Sequence, residues 1–96
     1  MTGITFPVAP DLAVEVASPN DLGRELRVKV EEYLRAGVRL VWLVDPETRS
    51  IEVVRADGGV ARLYEQDELS GEDVLPDFRC RVAELFAPAA APVEPA

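Results

Sequence analysis

Glu15 and Lys29 are the two residues of this chain whose types and spacing could do chemistry. Glu15 lies in the run Leu12-Ala13-Val14-Glu15-Val16, where apolar and other residues alternate. Lys29 lies in Leu26-Arg27-Val28-Lys29-Val30-Glu31-Glu32-Tyr33 and is the only lysine; every other cation is an arginine. A lone lysine aimed at a core is costly unless a carboxylate or a ligand meets it. Three readings are open. The lysine stem can cover apolar surface while its ammonium stays in water. Glu15 and Lys29 can form a pair that is purely structural. Or the pair can be catalytic.

The elements that must position them are a strand, a tight turn and a helix, spanning Pro10 to Gly37. Side chains in a strand alternate between faces. Leu12, Val14 and Val16 therefore share one aliphatic face, and Asp11, Ala13, Glu15 and Ala17 share the other. Ser18-Pro19-Asn20-Asp21 ends the strand, and Asn20 or Asp21 supplies a helix cap. At about 100° per residue, Leu22, Leu26, Val30 and Tyr33 form an apolar stripe with Lys29 inside it. A short turn folds this helix back on the strand, which makes Glu15 the natural partner of Lys29. Gly37 stops the helix.

Val38 to Asp45 is a continuous apolar run, suited to a strand covered on both faces. Strand, helix and strand make a βαβ unit with a right-handed crossover and parallel pairing. Pro46 to Arg49 reads as a turn. Ser50 to Arg55 alternates, with Ile51 and Val53 on one face and Glu52 and Val54 on the other. Asp57-Gly58-Gly59 is a hairpin signal, and Val60 to Tyr64 is the return strand. The expected fold is α/β: a mixed sheet with a βαβ crossover and then an antiparallel meander. Asp67 to Asp73 reads as an acidic loop, Leu75 to Phe78 as a turn, Arg79 to Arg81 as a short strand and Val82 to Phe86 as one helical turn. Residues 1–9 read as a lead-in, 10–86 as the domain, and the Ala/Pro-rich 87–96 as a disordered tail.

Composition narrows the function. Ninety-six residues make one small domain at most. A net charge of −8 argues against a general nucleic-acid binder, although a local basic patch can still hold DNA. The absence of histidine excludes histidine-ligated zinc and histidine-based catalysis, and the single Cys80 excludes an intramolecular disulfide. No apolar run is long enough for a membrane span and no signal peptide is recognised, so the expected location is cytoplasmic.

PDLAVEVASPND, then KVEEYLRAGVRLVWLVDPETRSIEV, then LPDFRCRVAELF, resembles the Uma family of the PD-(D/E)XK nuclease superfamily. The resemblance covers Pro10 to Phe86 and corresponds to the C-terminal half of a usual member. It implies a restriction-endonuclease-like fold, incomplete at the N-terminus, and metal-dependent cleavage of DNA phosphodiesters with Mg²⁺ or Mn²⁺. By the family pattern Glu15 matches the strand glutamate, a metal ligand. Lys29 matches a lysine that has moved to the following helix, since Ala17 occupies its usual place. The aspartate ligand of an upstream Pro-Asp strand is not matched, so the expectation is a truncated enzyme of weak or no activity. Asp11 and Asp45 remain as candidate metal ligands. Asp11, however, is four strand residues from Glu15, about 13 Å at 3.3 Å per residue, too far to share an ion. Asp45 suits a turn cap better. The alternative is a non-enzymatic interaction module or remnant. Its bare sheet edge would pair with a second copy or another chain.

Overall fold

A computed structural model describes residues 10–20 and 23–86. The expected lead-in, the Asp21 cap and Leu22, and the tail lie outside the described residues. In chain order the elements are β1 (Leu12–Val16), α1 (Gly23–Arg35), β2 (Leu40–Asp45), β3 (Ser50–Arg55), β4 (Val60–Leu63), β5 (Glu68–Gly71), β6 (Leu75–Arg81) and α2 (Val82–Leu85).

The βαβ unit forms as its patterns require. β1 and β2 are parallel, with Leu12 opposite Leu40 and Glu15 opposite Leu43. α1 connects them and is followed by Gly37, two residues past its end, whose φ of 106° is open to glycine without strain. The Gly37 N–H donates to the Leu34 carbonyl and the Val38 N–H to that of Tyr33, both at 3.0 Å. This closes the last turn of the helix. It also explains why β2 starts at Leu40 rather than at Val38: the Val38 amide is committed to the helix end.

β3 and β4 add antiparallel neighbours, giving a four-stranded sheet in the order β1-β2-β3-β4. The Asp57-Gly58-Gly59 turn joins them. Gly58 has φ 95°, and the Asp57 carboxylate accepts from the Gly59 N–H at 2.8 Å.

Each face of the sheet buries its own apolar cluster. α1 covers one face, where Val30 meets Ala13, Val38, Val41 and Val54. The other face carries Leu40, Trp42, Ile51 and Val53, covered by Leu69 of β5 and Val82 of α2. Trp42 stacks on Phe78, with ring centroids 5.5 Å apart. The helix thus covers the Ala13/Glu15 face of β1. On the aliphatic face Leu12 joins the second cluster, but Val14 and Val16 remain 50% and 58% exposed.

The region from Asp67 to Phe78 departs from the sequence reading. Glu68–Gly71 is a strand, and β6 runs from Leu75, through the expected turn. Leu69 accounts for this: it is 0% exposed and anchors the hairpin on the sheet. The register slips between Ser70 and Gly71, so Gly71 faces Leu75 while Ser70 faces Arg79. Pro76 falls in that irregular stretch, where its missing N–H removes no bond from the regular ladder.

Candidate functional site

Glu15 is the fourth of the five residues of β1, on the face that α1 covers. Its side chain is 18% exposed. α1 runs back over this face with Leu26, Lys29, Val30, Tyr33 and Leu34 turned inward to differing degrees. Two of these side chains hold the carboxylate. The Lys29 ammonium lies 3.0 Å from Oε2, and the Tyr33 hydroxyl donates to Oε1 at 2.9 Å.

The lysine reading is therefore a composite. Its stem lies on the helix's inner flank, and its side chain keeps 44% exposure while its ammonium reaches Glu15. In so open a setting an ion pair contributes at most about 1 kcal/mol. Each carboxylate oxygen of Glu15 thus has its own donor.

Tyr33 belongs to the apolar stripe in the sequence reading, and its bond to Glu15 is additional to that. The signal available was a phenol one helical turn past Lys29 on the same face; a half-buried tyrosine hydroxyl ordinarily finds a partner. Burial pushes the Tyr33 phenol above its ordinary value, and the hydrogen bond to Glu15 and the Glu15 charge push it further. The Lys29 ammonium opposes this, and Glu32 adds to it.

The remaining candidates are placed elsewhere. Asp11 is exposed before β1 and lies 3.7 Å from the Arg39 guanidinium, which also reaches Asp73 at 3.0 Å. Asp45 Oδ1 accepts from the Glu47 and Thr48 amides at 3.0 and 3.4 Å, which is a turn-capping role. Among the described residues no three acidic, cysteine or histidine side chains come together to hold a metal ion. Glu15 offers hard oxygen donors of the kind Mg²⁺ or Mn²⁺ prefers. Both are already engaged, however, so the described residues do not by themselves make a cation site.

A small cleft adjoins the pair, lined by Ala17, Leu26, Leu43, Asp45, Glu52 and Arg62 among others. Leu43 is the strand partner of Glu15, and Leu26 precedes Lys29 by one turn of α1. Arg62 lies 3.9 Å from Glu52, so the cleft carries both signs of charge.

The mixed four-stranded sheet with one crossover helix is that of a nuclease-like fold. The family comparison agrees: residues 2–83 match the Uma2 family, described as putative restriction endonuclease. The chain belongs to that family. A crystal structure of a putative nuclease belonging to DUF820, from Anabaena variabilis ATCC 29413, is similar in fold, with a TM-score of 0.76 at 20% identity. The similarity covers 85% of this chain and 46% of that one, so this chain spans about half the length of that structure. No curated protein matches the sequence. Among the described residues no helix is long and apolar enough to cross a membrane.

Proposed function

We propose that this chain supplies the glutamate–lysine half of a metal-dependent DNA endonuclease site, which hydrolyses phosphodiesters. The observation that carries this reading is the Glu15–Lys29 contact of 3.0 Å, made across a strand and a crossover helix in a chain of this family. In this reading Glu15 is a metal-ligating carboxylate for Mg²⁺ or Mn²⁺. Lys29 is a compact point charge that offsets negative charge on the attacked phosphate. A second carboxylate has to come from outside the described residues, on a strand that pairs with β1. Asp11 and Asp45 are engaged elsewhere. The chain alone is accordingly inactive or nearly so.

The test is nicking of supercoiled plasmid in the presence of Mn²⁺. We expect little nicking by the chain alone, and any that occurs to be lost in Glu15→Gln and in Lys29→Ala. Vigorous nicking that survives Glu15→Gln overturns the reading.

A second reading is favoured by one observation: β1 pairs only with β2 among the described residues, and its Val14 and Val16 side chains are half exposed or more. Such an edge serves an interaction module that takes a strand from a second copy or another chain. The two readings are compatible, since a pairing strand is also what would bring the second carboxylate.

A further inference from the structure

The geometry assigns Tyr33 a role that we propose as new for this chain: it is a positioning residue for Glu15. This rests on the reading of Glu15 as the site carboxylate.

A glutamate side chain has three rotatable bonds, and one ion pair to a flexible lysine does not fix them. A lysine ammonium is a point charge that rotates freely about its stem and follows the carboxylate wherever it swings. The Tyr33 hydroxyl differs. It is carried on a stiff ring with two torsions, on the packed side of α1 beside Val30, which is 8% exposed. Its backbone carbonyl is tied into the end of the helix by the Val38 N–H at 3.0 Å. The donor at the end of that ring is therefore fixed relative to the sheet. Bonding Oε1 at 2.9 Å, it sets the plane of the carboxylate and leaves Oε2 on the side of Lys29. The more exposed lysine can then leave Oε2 for an anionic substrate without the carboxylate losing its orientation.

Partners that orient a metal-ligating carboxylate typically matter by about 10–100-fold in metal affinity or activity. Tyr33 touches neither metal nor substrate in this role, so its effect has to be read on Glu15 itself. The measurement is the set of proton couplings along the Glu15 side chain, by NMR on the full chain. The parent and Lys29→Met are expected to show one Glu15 rotamer, because Tyr33 is retained. Tyr33→Phe keeps the ring and its packing but is expected to show averaged couplings, with amide shifts elsewhere preserved. A single Glu15 rotamer in a folded Tyr33→Phe overturns the assignment. Should that variant fail to fold, the Lys29→Met arm decides: averaged Glu15 couplings there overturn it as well. The readout involves no DNA cleavage, so plasmid nicking that survives Glu15→Gln refutes the nuclease reading without deciding this one.

Discussion

Glu15 is held from two sides, and each contact has a separate signature. The Tyr33 phenol is raised above its ordinary value of 10.0, chiefly by burial and then by Glu15. A raised value in the folded state means that the folded chain holds that proton more tightly. The resulting stability is fully present below pH 10 and is lost as pH rises through the folded value. Thermal melts should therefore show the parent losing stability above pH 10, with Tyr33→Phe showing a flatter profile there; parallel profiles would contradict this. Cys80 gives a second expectation. Burial pushes its thiol up, and Glu84 and Glu68 push it the same way. The reactive thiolate is correspondingly scarce, so Cys80 should react more slowly with a thiol reagent at pH 8 than a free cysteine. Equal rates would count against its placement. At this scale the Glu15–Lys29 contact was legible because two periodicities, of strand and helix, aim both side chains at one space. The Tyr33 contact was less legible, because a tyrosine on an apolar stripe satisfies the same pattern with its ring alone.

The elements follow their patterns wherever period and punctuation agree. β1, α1, β2 and the β3–β4 hairpin were readable because alternation, the helical stripe, Gly37 and Asp57-Gly58-Gly59 all point the same way. The β5–β6 hairpin was obscured because its residues look like loop. Its strand is four residues long, carries Glu68, and faces a partner interrupted by Pro76. Tertiary packing decides there, through Leu69 at 0% exposure. Leu69→Ala should cost about 2–5 kcal/mol, the usual range for a truncated core leucine, in denaturant unfolding. A cost well under 1 kcal/mol would show that the hairpin does not anchor the fold. Gly71→Ala tests the bulge: a β-carbon there would clash with the Leu75 carbonyl oxygen, so backbone must move. We expect a loss of about 1–3 kcal/mol by the same measurement, as for other overpacked sites.

At the scale of the molecule, the chain is a small sheet with a partly uncovered strand at one edge. Val14 and Val16 leave an apolar stripe in water beside an edge that has no partner among the described residues. We expect marginal stability or self-association, seen as a concentration-dependent mass in light scattering. Val14→Lys with Val16→Lys should shift that mass toward the monomer. A stable monomer with a cooperative melt in the parent would contradict the expectation. Glu15 lies on this same edge strand, β1. If Glu15 and Lys29 are one half of a nuclease site, they need a second carboxylate, and supplying one should restore cleavage. The decisive experiment is Mn²⁺-dependent nicking of supercoiled plasmid by a version lengthened upstream with a Pro-Asp strand, alongside the unextended chain. We expect nicking by the lengthened version only, abolished by Glu15→Gln and by Lys29→Ala. Nicking by both versions that ignores Glu15→Gln, or a folded lengthened version that leaves the plasmid intact, would contradict the half-site reading.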